Sequence, residues 1–236
     1  MRLQDYQVFN GELSEIREGK VLINTINAHS YNVSRQDPLF ANSLKNCDVL
    51  IPDGISVVWA LKWLNGKKLK KIAGADLFFY EMERLQKKGG SCFFLGSTED
   101  TLQKIKNRAA IDYPDVRVGS YSPPYKPEFS EVDSERMIGA VNEFKPDVLF
   151  VGLTAPKQEK WVYKHYDQLS AGHIGCIGAV FDFYAGNINR APEWMINLGM
   201  EWFYRLFKEP KRMWRRYIIG NVKFIYFVFR EKYFET

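Results

Sequence analysis

The chain predicts a doubly wound, mainly parallel α/β sheet flanked by helices, followed by a helical, basic and aromatic C-terminal appendage. Three observations carry this. The order strand, loop, helix recurs at least five times along the sequence. The strand candidates are short apolar runs without alternation, as expected where helices cover both sheet faces. Beyond Gly186 the texture changes to Trp, Tyr, Phe and Arg. The division this implies is an α/β unit over 1–190 and an appendage over 191–236.

The first twenty residues are polar and mixed, and are expected to pair as a short hairpin or edge. Residues 21–26 (VLINTI) read as a strand, leading through Asn27-Ala28-His29-Ser30 into a helix. Pro38 stands in the first-turn position it tolerates and opens a helix over 39–45. Residues 49–51 form the next strand, broken at Pro52-Asp53-Gly54. Proline extends the residue before it and glycine permits a tight turn, so a helix over 55–64 starts at the strand's mouth. A basic loop over 67–71 follows, then a helix over 77–88 closed by Gly89-Gly90. Residues 91–95 (SCFFL) are a strand, and Gly96-Ser97-Thr98 lead into a helix that ends before Pro114. A strand over 116–120, a proline-rich loop over 121–129, a helix over 131–144 and the strand DVLFV (147–151) come next. The loop over 152–158 precedes a helix over 160–169 and a last strand over 173–178.

In the appendage, helices over 195–207 and 211–229 are separated by Glu209-Pro210. The apolar run over 217–229 is shorter than the roughly 20 residues needed to span a bilayer. Its aromatic and basic residues suit a helix lying on a membrane surface. The alternative is a helix docked on the core or on another subunit of a homo-oligomer.

Composition bounds the function. Hydrophobic content of 46% and charged content of 26% in 236 residues are those of a globular protein. Cys47, Cys92 and Cys176 lie in apolar segments, which favours reduced thiols and a cytoplasmic setting. The N-terminus lacks the apolar core of a signal peptide. The net charge is +5, yet from Arg205 onward there are nine Lys/Arg against three Asp/Glu. The body is therefore near neutral and the tail basic. A basic tail points to phosphate or an anionic membrane surface; the near-neutral body argues against nucleic acid. There is no Walker lysine loop, no GxGxxG, no CxxC and no DxD, so neither a metal nor a resident cofactor is expected.

The candidate site is where a parallel sheet places its binding edge: the loops at Thr25–Asn27, Asp53-Gly54, Gly96–Thr98 and 152–159, with Asp182 beside them. Asp53 can serve as a general base if a substrate hydroxyl is within reach; otherwise it shapes the turn or caps the helix. Thr25 and Asn27 can orient a sugar, or cap a helix. Gly96 and Gly152 allow close backbone approach, Lys157 and Gln158 supply a cation and an amide, and helix N-termini favour phosphate. Arg205, Arg212 and Arg215 can share a face across Pro210 and meet phosphate with their forks. The histidines His29, His165 and His173 do not cluster and read as surface or satisfied loop residues.

These pieces, taken in order, resemble the WecG/TagA/CpsF family of bacterial glycosyltransferases. The matches are Thr25-Ile26-Asn27-Ala28, Ile51-Pro52-Asp53-Gly54-Ile55, Gly74-Ala75-Asp76-Leu77, Pro156-Lys157-Gln158-Glu159, Arg190-Ala191-Pro192 and Glu201-Trp202-Phe203-Tyr204-Arg205-Leu206 through Arg212. Where members often have Arg ahead of the third piece, this chain has Lys71-Ile72-Ala73. The resemblance implies a Rossmann-like sheet and an inverting, metal-independent transfer from a UDP-sugar to a polyprenyl-diphosphate-linked acceptor. The sugar would be a hexose or N-acetylhexosamine derivative such as N-acetylmannosamine, its uronic acid or glucose, and the setting the inner face of the cell membrane. It implies Asp53 as the base, Thr25 and Asn27 positioning the sugar, Gln158 and Asp182 on the nucleotide, and Arg205, Arg212 and Arg215 on the phosphates. The competing expectation is a membrane-docked, non-catalytic nucleotide-sugar-binding module.

Overall fold

A computed structural model describes residues 2–189, 191–197 and 200–234, without the side chains of Glu193, Asn197 and Arg212. Its frame is a six-stranded sheet. The strands are β1 (Val21–Ile26), β2 (Val49–Pro52), β3 (Ser91–Gly96), β4 (Arg117–Tyr121), β5 (Val148–Gly152) and β6 (His173–Cys176). They lie in the order β2-β1-β6-β5-β3-β4, and every neighbouring pair is parallel. The C-terminal ends of all the strands therefore meet at one edge. In register, Ile26 lies against Pro52, Gly96 against Gly152 and Val151 against Cys176.

The helices are α1 (Ala28–Ser34), α2 (Pro38–Lys45), α3 (Ile55–Asn65), α4 (Gly74–Lys88), α5 (Glu99–Asp112), α6 (Glu131–Phe144), α7 (Lys157–His165), α8 (Val180–Tyr184), α9 (Glu193–Asn197), α10 (Glu201–Lys208), α11 (Pro210–Trp214) and α12 (Gly220–Phe234). A π-helical turn over Arg215–Ile219 joins the last two. The unbroken apolar strands have the cause expected of them. Cys92, Phe94, Val148 and Phe150 pack on one face with α4, α5 and α8, while Phe93, Leu95, Leu149 and Val151 pack on the other with α6 and α7. Phe78 of α4 holds the first face together, its ring 5.2 Å from Phe150 and 4.7 Å from Tyr184.

Local chemistry explains most helix starts. Asp37 caps α2 by accepting from Phe40 N at 3.0 Å, and Ser130 caps α6 by accepting from Asp133 N at 3.2 Å. Gly66 and Gly89 end α3 and α4 in the left-handed conformation.

Several expectations change. The N-terminal residues form no hairpin. They make two 3₁₀ turns, Leu3–Asp5 and Leu13–Glu15, with one parallel bridge from Val8 to Leu50 at the sheet edge. The reason is distant in sequence: buried Glu231 accepts the N–H groups of Leu3 at 2.6 Å and Gln4 at 3.0 Å. Helix α7 begins at Lys157, so Lys157, Gln158 and Glu159 form its first turn rather than a loop. His173 is no loop residue. It is buried in β6, with Nδ1 2.6 Å from Glu81 Oε1 and Nε2 3.0 Å from the carbonyl oxygen of Arg17. The helix read over 195–207 is seen as α9 and α10, with residues 198 and 199 between them outside the described residues.

The appendage returns to the body. Phe224 and Val228 of α12 complete a core with Tyr31, Leu50, Val57 and Leu61. Asn32 donates to the carbonyl of Gly220 at 2.7 Å, and Tyr31 donates to Glu231 at 3.2 Å. Among the described residues no helix is long and apolar enough to cross a membrane.

Candidate active site at the C-terminal edge of the sheet

The ends of β1, β2, β5 and β6 open into a cavity of about 1160 Å³, closed on the far side by α10, the π-helical turn and the start of α12. Ordinary small-molecule pockets run to ~300–1,000 Å³, so this one has room for two polar substrates.

Asp53 sits on the cavity wall just past β2. Its backbone N–H donates to Ile26 at 2.9 Å, which ties the turn to the end of β1. A Cβ on Gly54 would lie 3.3 Å from that of Asn27, so the glycine lets the two loops close on each other. The helix-cap reading of Asp53 does not hold. Gly54 is the N-cap of α3, and no side chain caps that helix. The carboxyl is left to the cavity. Burial, then the nearby Glu201 carboxylate, push it up to about 6, against the pull of Lys71, Arg216 and Arg205. The residue keeps intermediate exposure because the cavity reaches it; protein surrounds the carboxyl on its other sides.

Asn27 does cap a helix. Its Oδ1 accepts from His29 N and Ser30 N, both at 3.0 Å, which orients the side chain at the cavity wall. Thr25 lines the same wall one strand from Asp53, and so does Gly152. Gly96 does not. Its φ of +122° and the carbonyl of Gly152, which any Cβ there would strike, make it a packing glycine between β3 and β5. The neighbouring Ser97 takes the wall instead. Ser97 and Thr154 both line the cavity with left-handed backbones, φ 61° and 73°. Such strain in non-glycine residues costs of order 1–3 kcal/mol each and concentrates at functional sites.

Lys157 turns away: its Nζ donates to the carbonyl of Lys126 at 2.8 Å and lies over the Phe129 ring. Gln158 remains on the wall, as does Asp182. Beside Gln158, Glu159 is 2% exposed, and burial pushes its carboxyl up to about 7.

From the appendage, Arg205 and Arg215 reach the cavity. Arg205 lies over the Phe183 ring at 5.5 Å, with Nε buried and unpaired among the described residues. The side chain of Arg212 lies outside the described residues. Arg216 also lines the cavity. On an α-helix adjacent residues point about 100° apart, so spacing arithmetic passes over Arg216. The π-helical turn brings Arg215 and Arg216 to the same cavity. Lys71, Glu159, Glu201 and His29 are likewise wall residues; Glu159 and Glu201 stand in the family's motifs, but the sequence assigned no role to any of the four. Burial and Arg216 lower His29 to about 4, so it stands there as a neutral imidazole. Among the described residues no three His, Cys, Asp or Glu side chains gather as metal ligands.

Known proteins are similar to this chain over most of its length. The model of the glycosyl transferase WecG/TagA/CpsF family matches residues 5–236. An N-acetylglucosaminyldiphosphoundecaprenol N-acetyl-beta-D-mannosaminyltransferase of Bacillus subtilis (strain 168) is 34% identical over 197 residues, 83% of this chain and 74% of the relative. The protein of the same description from Bacillus spizizenii is 32% identical over 181 residues, 77% of this chain and 68% of the relative.

Proposed function

The chain belongs to the WecG/TagA/CpsF family of glycosyl transferases, and on that premise we propose that it moves an N-acetylhexosaminyl group from a UDP-sugar to a polyprenyl-diphosphate-linked saccharide, with inversion, at a membrane surface. The activity in the relatives' description favours N-acetylmannosamine as the sugar and N-acetylglucosaminyl-diphosphoundecaprenol as the acceptor.

One observation carries the chemistry. A carboxyl without cap duty, Asp53, shares a cavity with Lys71, Arg205, Arg215 and Arg216. In this reading an Asp53 oxygen takes the proton of the acceptor hydroxyl. The freed oxygen bonds to the sugar's anomeric carbon as the bond from that carbon to the diphosphate oxygen breaks. The electron pair leaves with UDP, and the cations receive its charge. Donors fixed before the reaction stabilise such developing charge far better than water does. A pKa near 6 suits the base: it is ionised at pH 7 yet a better proton acceptor than an ordinary carboxylate. Thr25 and Asn27 hold the sugar, while Gln158 and Asp182 hold the nucleoside. The diphosphate charge is met by side chains, without a metal.

The test is UDP release from UDP-N-acetylmannosamine with a short-chain lipid-diphosphate N-acetylglucosamine acceptor. Release that depends on the acceptor is expected. No release across a panel of UDP-hexoses and UDP-N-acetylhexosamines would sink the transfer reading.

A further inference from the structure

Helices α3 and α12 share a surface that the transfer chemistry does not use. On α12, Phe224, Val228 and Glu231 face the core, while Val222, Ile225, Tyr226, Phe229 and Tyr233 stand exposed on another side. On α3, Trp59 is 69% and Trp63 45% exposed. The two helices are joined there: the Trp63 ring lies 6.3 Å from Phe229 and 6.0 Å from Tyr233. Lys232 closes the seam by donating to the carbonyls of Trp63 at 3.0 Å and Leu64 at 3.1 Å. Tryptophan exposed next to a continuous apolar stripe marks an interaction surface.

The exposed charge at the end of α3 is basic, although Asp5 lies exposed in the turn packed against that helix. Residues 54–75 contain five lysines and no acid, of which Lys70 pairs with Glu12 and Lys71 lines the cavity. Lys62, Lys67 and Lys68 are exposed at the end of α3. A second copy of the chain fits poorly, since a two-fold contact would set like charges against each other. Exposed tryptophan and tyrosine beside a lysine cluster match the interface of an anionic bilayer.

We propose that α3 of the α/β body, with Trp59, Trp63, Lys67 and Lys68, forms one membrane-docking face together with α12, so that the protein contacts anionic lipid through its body as well as its appendage. The first turn of α3 (Ile55, Ser56) and the start of α12 (Gly220, Lys223) also wall the cavity. Docking on this face therefore holds the cavity beside the lipid surface. That last relation rests on the transfer reading; the docking itself does not.

The experiment is flotation of the full chain with phosphatidylcholine vesicles, with and without about 30% phosphatidylglycerol. Trp59→Ser is expected to lower binding to the anionic vesicles by about tenfold, and the pair Lys67→Glu/Lys68→Glu by at least about thirtyfold, since each of the two basic residues near such a surface contributes about 1 kcal/mol. Brominated lipid is expected to quench wild-type tryptophan fluorescence more than that of Trp59→Phe. Wild-type binding by both flotation variants would overturn the proposal and leave α12 as the sole anchor. So would a wild-type dimer that Trp59→Ser turns into a monomer with vesicle binding unchanged. Turnover on a water-soluble acceptor is measured in the same samples and is expected to be unaltered by these substitutions. Its absence in the wild type would sink the transfer reading while leaving the vesicle result to decide docking.

Discussion

The side-chain amide of Gln158 donates through Nε2 to Oε1 of Glu159 at 2.9 Å. The other side of the amide is held too, since Gln158 Oε1 accepts from the backbone N–H of Leu153 at 3.3 Å. Oε2 of Glu159 is buried without a partner among the described residues. The pair thus fixes which way an amide on the cavity wall points.

Glu159→Ala is expected to raise the donor KM about tenfold, the scale of one to two kcal/mol for a lost buried hydrogen bond, with a smaller effect on kcat. Glu159→Gln keeps an acceptor for Gln158 and is expected to recover most of the loss. Glu159 is driven to about 7, protonated below and ionised above. The wild-type donor KM should therefore change across neutral pH, and that change should vanish in Glu159→Gln. Equal KM in all three proteins would show the pair to be structural only.

Asp53→Asn is expected to lower kcat by about 10²–10⁴-fold with an unchanged thermal midpoint. Because burial and Glu201 raise Asp53 to about 6, wild-type activity should fall as pH drops through that value and the base becomes protonated. Glu201→Gln removes a like charge and should move this limb to lower pH. Near-full turnover in folded Asp53→Asn would remove it from the base role.

Substituting Arg205 or Arg216 by Ala is expected to weaken UDP binding by about ten- to a hundredfold, in the range of hydrogen bonds to charged groups. Isothermal titration with UDP reads this directly. Lysine at either position should recover only part of the loss, because an ammonium lacks the planar fork. Full affinity in Arg205→Ala would assign that side chain to its stacking on Phe183.

Glu231→Ala leaves the N–H groups of Leu3 and Gln4 without their acceptor and is expected to cost about 2–4 kcal/mol. Phe224→Ala opens the core under α12 and is expected to cost about 3–5 kcal/mol. Urea unfolding measures both. Midpoints within error of wild type would show that the appendage is not part of the folding unit.

His173 gives a pH-dependent stability. Burial lowers its pKa, but the hydrogen bond and charge of Glu81 outweigh this and leave it raised. The stabilisation is present in full below the ordinary imidazole value of about 6.5 and is lost as pH rises through the folded value. His173→Gln should flatten that decline in urea midpoints above neutral pH; an identical pH profile would exclude the pair as its source.

Much of this molecule is legible in the chain. Apolar runs such as Ser91–Gly96 and Val148–Gly152 have few alternatives to buried parallel strands, and turn residues such as Pro52 and Gly54 mark where they stop. Ends were harder. The chain reads as a loop over 152–158, whereas α7 opens at Lys157, directly after Pro156. The cavity wall is legible where a residue's position on the sheet edge decides its exposure, as for Thr25, Asn27 and Asp53. Gly96 and Lys157 lie equally close to strand ends, yet one packs against Gly152 and the other swings to the carbonyl of Lys126.

The sequence by itself determined the parallel α/β frame, its binding edge, the basic appendage and the family. The frame and its edge follow from local rules: which segments are apolar, where glycine and proline interrupt them, and which residues stand one step past a strand; the family follows from the ordered motifs. Only the tertiary structure decided that Arg216, Lys71 and Glu201 face Asp53. It also decided that Glu231 fastens the appendage to the first turn of the chain, and that Trp59 and Trp63 remain outside. These relations join residues up to 228 positions apart. Their direction depends on how α3, α12 and the π-helical turn pack together, which no local spacing encodes.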